Sequence, residues 1–324
     1  MTLPIENTRF EGPLADPIEE MRRRSFLALS RLHRGIERLV LTDFPDYENI
    51  GDSVIALGQA EFWRRAGIEI DATYSWRTLS PRVYESTTPV AIQGGGNFGG
   101  LYPQHSGHRY LLSESLRADT ELIQLPQSVH FGSAADREEF AARMATRRTL
   151  RLAVRDEDSL ASVCDLVPQA MLAPDSVHML GHLEAEPPTR GFVCLLRRDQ
   201  ESALPAAHPA AIDWPPLTFA DRVRQRARRT IVEGAVTRSM NRSTERWFAD
   251  AAQRLRTGIA LLTPGETVVT DRLHAMLLAL QMGRRVIAID NANGKLTSYA
   301  ATWFDGLDLP LEFAPDLAAA MTDV

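Results

Sequence analysis

Cysteine is almost missing from this chain: its 324 residues include two, Cys164 and Cys194. Two cannot build a disulfide framework or a cysteine-rich zinc site. Cys194 lies between Val193 and Leu195 and Cys164 follows Val163, and both are expected to be buried, reduced core thiols, which fits a reducing compartment. Long apolar runs are missing too. A membrane-spanning helix needs ~18–20 apolar residues, and the longest run here, Ala275 to Met282, is broken by Gln281. Met1 to Pro17 has no apolar stretch behind a basic start, so no secretory signal is read there. The protein is therefore expected in the cytoplasm, meeting any membrane-bound material at the inner face of the cytoplasmic membrane. An excess of positive charge is lacking as well. Lys and Arg number 36 and Asp and Glu 42, a balance of −6, whereas general nucleic-acid binders are usually basic. No short-period repeat or low-complexity tract is present.

What the chain has is ordinary globular material, 44% hydrophobic and 24% charged. Its length suits two domains. Strand-like segments alternate with helical ones: strands at 38–44, 68–74, 89–93, 121–125 and 150–154, and helices at 51–67, 109–118 and 134–145. The composition shifts near Pro187-Pro188, a pair that cannot continue a helix. The alternation then restarts. Strands are expected at 191–196, 212–214, 267–270 and 285–290. Helices are expected at 243–256, stopped by Gly258, and at 272–282 and 294–303. This order predicts an α/β protein with two Rossmann-like domains, residues 1–186 and 187–324, whose parallel sheets face a cleft. Ligands of such sheets bind beyond the carboxyl ends of the strands.

Three loops after strands could carry chemistry. The first, Asn49-Ile50-Gly51-Asp52-Ser53, leads into a helix whose free N–H groups can meet an anion or a hydroxyl; Asp52 or Ser53 capping that helix is the plainer reading. The second runs from Gln93 to Gly100 through Gly94, Gly95, Gly96, Asn97 and Gly99. Five glycines in eight residues allow close approach of a ligand to the backbone, although a tight connection also accounts for some of them. It fits neither the dinucleotide fingerprint nor the Walker loop. The third, Thr270-Asp271-Arg272-Leu273-His274, brings a guanidinium, an imidazole and a helix N-terminus together, a set that suits a phosphate dianion. The alternative is that Asp271 caps the helix and pairs with Arg272. Arg155, Arg197 and Arg198 end predicted strands and point to the same cleft; Arg155 pairing with Asp156 or Asp158 is the alternative there.

In this order the segments NIGDSVI, IQGGGNFG, VRDEDSL with APDSVHML, LLRRDQES, VVTDRLHAM and IDNANGKLTSYAATWF resemble the polysaccharide pyruvyl transferase family, over Asn49 to Phe304. The likeness is to bacterial exopolysaccharide ketal-pyruvate transferases. It departs at Glu48, where a Gly or His often stands. The resemblance implies a glycosyltransferase-B-like arrangement with phosphoenolpyruvate as co-substrate in the cleft and no bound cofactor. By analogy Arg155, Arg272, Leu273 and His274 hold the donor. Arg197 and Lys295 are further donor candidates. Asn49, Gly51, Asp52, Gly94, Gly95, Gly96 and Asn97 face the saccharide acceptor. The implied chemistry protonates the donor's methylene carbon and adds two sugar hydroxyls in turn. It calls for His274 and Asp52 as proton carriers and for Arg155 and Arg272 as charge stabilisers, with no metal.

The pairs His105/His108 and His178/His182 have zinc-like spacing but no cysteine nearby, and are read as non-ligands. Arg222, Arg224, Arg226, Arg228 and Arg229 form a basic run, usually a solvated face. The sharper reading joins them with Arg22, Arg23 and Arg24 as a contact for anionic headgroups or a lipid-diphosphate-linked acceptor. Two other functions fit the same architecture: a sugar-nucleotide-dependent glycosyltransferase and a non-catalytic glycan-assembly scaffold.

Overall fold

The structure is a computed structural model that describes residues 14–100, 102–198, 211–215, 223, 242–291 and 294–322. Helix α1 (Pro17–Leu32) precedes strand β1 (Arg38–Thr42). There follow α2 (Ile50–Ala66), β2 (Glu69–Thr73), β3 (Val90–Ile92), β4 (Gly95–Phe98), α3 (Pro103–Ser115) and β5 (Leu122–Val129). The first sheet is completed by α4 (Ala134–Arg143), β6 (Leu150–Val154), α5 (Glu157–Val163) and β7 (Met171–Leu172). Its order is β2-β1-β3-β5-β6-β7, with β4 beside β5.

The second sheet starts with β8 (Arg190–Leu195) and β9 (Ala211–Ile212), then α6 (Thr244–Leu262), β10 (Gly265–Thr270) and α7 (Leu273–Gln281). It closes with β11 (Arg285–Ile289), α8 (Lys295–Trp303), β12 (Leu311–Ala314) and α9 (Leu317–Thr322). Its order is β12-β11-β10-β8-β9. Every strand pairing within the two sheets is parallel. Parallel strands need helical crossovers, and the helices bury both sheet faces. That is why β5 is buried at each position, Gln124, Gln127 and Ser128 included. The expected α/β fold with two Rossmann-like parallel sheets is the one observed.

Several local expectations need correction. Asn49, not Asp52 or Ser53, caps α2: its side chain accepts from the Gly51 N–H, and Gly67 in the left-handed region (φ 70°) ends the helix. Helix α3 begins earlier than expected, with Pro103 in its first turn, where no N–H is needed. Gly258 does not stop α6. It lies buried inside the helix, where an added Cβ would stand 2.9 Å from Ile50 Cγ2. The residue serves the close approach of α6 to α2. Cys194 is buried as expected, but Cys164 is exposed. It caps the end of α5, one residue beyond the buried Val163 and one before Asp165, so the apolar residue preceding it did not report its direction.

The helices do not follow the division of the strands. Trp247 and Ala251 of α6 pack with Leu39, Phe44, Phe62 and Trp63 of the first sheet's core. Ile18 and Met21 of α1 pack with Leu195, Leu273 and Met276 of the second. Each sheet is thus covered partly by a helix from the other end of the chain.

Candidate active site

The carboxyl ends of strands from both sheets converge on one cavity of about 290 Å³. The first sheet supplies Tyr47, Asn49 and Asp52 after β1, Gly96 and Asn97 in β4, His105 at the start of α3, and Arg155 after β6. The second supplies Arg197 after β8, Trp214 after β9, Arg272 to His274 after β10, and Asn291 and Lys295 after β11.

Arg155 and His274 come from different sheets and share one carboxylate. Asp175 Oδ2 accepts from Arg155 Nη1 at 2.7 Å and lies 3.3 Å from His274 Nε2. Arg155 Nε also donates to Ser128 Oγ at 2.8 Å. Burial alone would raise the Asp175 carboxyl, but the His274 hydrogen bond and the charges of His274 and Arg155 hold it well below the usual carboxylate range. Behind it, the Asp175 N–H donates to Tyr299 Oη at 2.9 Å, and that hydroxyl is 2.8 Å from His178 Nε2. Burial lowers His178 to about 4, so it is neutral at physiological pH and accepts the tyrosine proton. Gly96 keeps the front of this group open: a Cβ there would stand 2.9 Å from Arg155 Nη2 and 3.6 Å from Lys295 Nζ.

Arg272 starts α7 and pairs with Asp213 through two bonds, Nε to Oδ1 at 2.7 Å and Nη2 to Oδ2 at 2.9 Å. A guanidinium carries five N–H donors in a rigid fork, so a carboxylate pair does not exhaust it. Asp271 neither caps α7 nor pairs with Arg272. Its Oδ1 accepts the Arg197 N–H at 2.8 Å, and burial pushes its carboxyl up to about 6. Arg155 likewise takes neither Asp156 nor Asp158 as its partner.

The opposite wall holds Asp52, whose Oδ2 accepts from Tyr47 Oη at 2.9 Å and from Asn49 Nδ2 at 2.8 Å. Burial and the nearby Asp52 and Asp43 raise the Tyr47 hydroxyl well above its ordinary value, which keeps it a donor. Beside this pair stands His105, with Nδ1 2.8 Å from Asp43 Oδ1. Asp43 is buried, and among the described residues it is the one non-glycine with positive φ (60°). Arg109 Nη1 lies 3.3 Å from its other oxygen, and Arg109 Nη2 donates to Asn97 Oδ1 at 2.9 Å. Burial would raise Asp43, but His105 and Arg109 keep it low. The same burial holds His108 at about 4, where its Nε2 meets Thr42 Oγ1 at 2.9 Å.

Of the residues singled out in the sequence, Asn49, Asp52, Gly96, Asn97, Arg155, Arg197, Arg272, Leu273, His274 and Lys295 line the cavity. Gly51, Gly94 and Gly95 do not. A Cβ on Gly51 would stand 2.5 Å from His274 Nδ1, and one on Gly94 would stand 2.4 Å from the Pro126 carbonyl oxygen. Gly95 has φ 142° and sits beside Asp52 Oδ1. These three let protein pack against protein. Asp175, Asp43, His105 and Asp213 were given no role by the sequence. The signal for Asp175 was present in its segment APDSVHML, and that for His105 was hidden in a zinc-like spacing.

His178 and His182 have separate partners, Tyr299 and Asp16. Arg22, Arg23 and Arg24 are engaged with Glu19, Glu20 and Glu61 on the protein itself, which speaks against the headgroup contact expected of them. The basic run from Arg222 to Arg229 lies outside the described residues. Among those described, no helix is long and apolar enough to cross a membrane.

Residues 49–293 match the family model described as polysaccharide pyruvyl transferase. Pyruvyl transferase 1 of Schizosaccharomyces pombe is 30% identical over 294 residues, which cover 85% of this chain and 72% of that protein. The solved structure of an uncharacterized Klebsiella pneumoniae protein shares the fold. Its TM-score is 0.63 at 18% identity, over 91% of this chain and 99% of the other.

Proposed function

The chain belongs to the polysaccharide pyruvyl transferase family of enzymes, and from that premise we propose that it transfers pyruvate from phosphoenolpyruvate to a sugar of a surface-polysaccharide precursor. Two hydroxyls of one sugar become bridged as a cyclic ketal, and inorganic phosphate is released. The observation that carries this reading is the meeting of Arg155, Arg197, Arg272, Lys295 and His274, drawn from both sheets, in one cavity. A small donor with a phosphate and a carboxylate calls for cations on two sides. The volume of about 290 Å³ is at the low end of ligand pockets, roughly 300–1,000 Å³. That favours a three-carbon donor with one sugar ring over a nucleotide sugar.

His274, oriented by the Asp175 carboxylate 3.3 Å from its Nε2, gives its proton to the donor's methylene carbon. The double-bond electrons form the new C–H bond, and the central carbon becomes oxocarbenium-like. One sugar hydroxyl adds to it and loses its proton to Asp52. Arg155, Arg272, Lys295 and the N-terminal amides of α7 stabilise the negative charge as the C–O bond to phosphate breaks and its electron pair leaves with phosphate. The second hydroxyl then closes the ring and returns a proton to His274. Of the two hydroxyl protons, one replaces that placed on the new methyl group, and the other leaves with phosphate. No metal enters this scheme. The reaction is assigned to the cytoplasm, and an acceptor carried on a lipid diphosphate fits it as well as a free one.

A thermal-shift comparison tests the donor. Phosphoenolpyruvate should raise the melting temperature of the wild type and have little effect on Arg272→Ala, whereas UDP-glucose should shift neither. Stabilisation by UDP-glucose alone would replace this reading with a sugar-nucleotide glycosyltransferase. Stabilisation by neither ligand would favour a glycan-assembly scaffold without catalysis.

A further inference from the structure

Beside the first cavity lies a second chamber of about 390 Å³, lined by Asp46, Tyr47, Ser75, Trp76, Arg77, Gln104 and His105. Tyr47, Gln104 and His105 belong to both. We propose that this chamber is a second saccharide subsite, in which Trp76 receives the sugar next to the one that is pyruvylated. The proposal rests on the function proposed above and makes an acceptor of two sugar units the preferred one.

The chamber is built rather than incidental. It lies beyond the carboxyl ends of β1 and β2, the place where parallel sheets present ligand-binding loops. The two loops are tied together: the Tyr74 N–H donates to the Leu41 carbonyl at 2.9 Å, and the Phe44 N–H to the Tyr74 carbonyl at 3.0 Å. A tight turn then carries Trp76 and Arg77 at its tip. It is closed by the Thr78 N–H to the Ser75 carbonyl at 3.1 Å and by the Ser75 N–H to Thr78 Oγ1 at 3.0 Å. A ring held this way loses little freedom when a ligand stacks on it.

Trp76 is half-buried, with the Arg77 guanidinium 4.4 Å from its ring centroid. Tyr47, Trp76 and Tyr102 surround His105 edge-on, with centroids 6.1, 6.5 and 6.4 Å from it. The surroundings are therefore aromatic surface edged by a carboxylate, a hydroxyl, an amide and a guanidinium. A sugar ring has that dual character, with C–H groups on its faces and hydroxyls around its rim. Aromatic side chains that combine large apolar area with a polar edge suit it.

Charge separates this chamber from its neighbour. The first cavity gathers Arg155, Arg197, Arg272 and Lys295 and draws anions. The second holds one carboxylate, Asp46, and one guanidinium, Arg77, so its formal charges balance. A phosphate or diphosphate would find less attraction there than in the first cavity, whereas a neutral sugar is not penalised. The shared wall also fixes the order of units: the sugar that reacts passes Tyr47 and His105, and its neighbour stays against Trp76.

The test compares acceptor lengths. The probes are p-nitrophenyl glycosides of galactose, glucose and mannose, each beside the glycoside of a disaccharide ending in the same sugar. Ketal formation from phosphoenolpyruvate is followed by mass spectrometry. The wild type should prefer the disaccharide by about tenfold or more in kcat/KM, as a single well-packed aromatic contact can supply. Trp76→Ala should bring that ratio close to one, and Trp76→Phe should keep most of it, which guards against misfolding of the smaller variant. Equal use of both lengths by the wild type, or a ratio unchanged in Trp76→Ala, overturns the subsite and leaves the parent reading intact. Ketal formation on none of the acceptors removes both.

Discussion

The two imidazoles of the cavity are mounted in different ways. His274 belongs to the second sheet, and the carboxylate behind it, Asp175, to the first; they meet at 3.3 Å, and Asp175 also holds Arg155. His105 and Asp43 belong to the same sheet, meet at 2.8 Å, and are backed by Arg109. The first pair exists only while the two sheets keep their relative position. The second is complete within one of them. The wall bearing His105 is thus preformed, while the wall bearing His274 depends on the whole chain being assembled, so damage to the two should read out differently.

The largest effect is expected at the joint between the sheets. Asp175→Asn leaves a buried guanidinium without its counter-charge and His274 without the carboxylate that orients it. Loss of one partner of a buried pair costs about 3–5 kcal/mol, and kcat should fall by about a thousandfold as proton transfer and charge stabilisation fail together. Asp43→Asn should cost comparable stability, since Arg109 loses its carboxylate, but less turnover. Urea melts with kcat measurements check both, and equal losses of turnover would erase the difference drawn between the two mounts.

A smaller effect comes with acid. His33, His108 and His178 are each held near 4 by burial; His108 neighbours Asp43, His178 neighbours Asp175, and His33 accepts from the Trp63 indole away from both. Their folded-state values lie below the ordinary 6.5, so the unfolded chain takes up protons first as pH falls. Stability should therefore be complete above about pH 6.5 and decline steadily toward pH 4, by on the order of 3 kcal/mol per imidazole at the lower end. A stability profile flat across that window would mean that these rings are not buried neutral. The smallest effect concerns Asp271, raised to about 6 by burial. Its contribution is favourable while it is protonated, below about pH 4, and is lost as pH rises through 6. Asp271→Asn keeps an acceptor for the Arg197 N–H and never ionises, so its melting temperature should exceed the wild type's by more at pH 8 than at pH 5.

Much of this was legible in the sequence because each motif follows a strand, and strand ends in parallel sheets converge. Arg155, Arg272 and His274 could be placed on that ground, and Asp52 and Asn97 with the help of the family resemblance. The partners could not. Asp175 reaches Arg155 from twenty positions away and His274 from ninety-nine, and no local pattern reports such a pairing. Asp43 looked like a residue in the tail of a strand, and its positive φ is imposed by the tertiary structure. The glycines misled in the other direction. Gly51, Gly94, Gly95 and Gly258 read as ligand loops or a helix stop, but a missing side chain gives the same sequence signal whether a substrate or another part of the protein fills the space.

The exchange of α1 and α6 between the two cores bears on how the molecule could be taken apart. We propose residues 1–186 and 187–324 as its two units in chain order, yet a break at Pro187 would strip each of a covering helix. Produced alone, each fragment would display the raw apolar patch its absent helix normally hides. Co-produced, they should find one another and restore turnover, which makes this loop a natural place to divide the enzyme into complementing pieces.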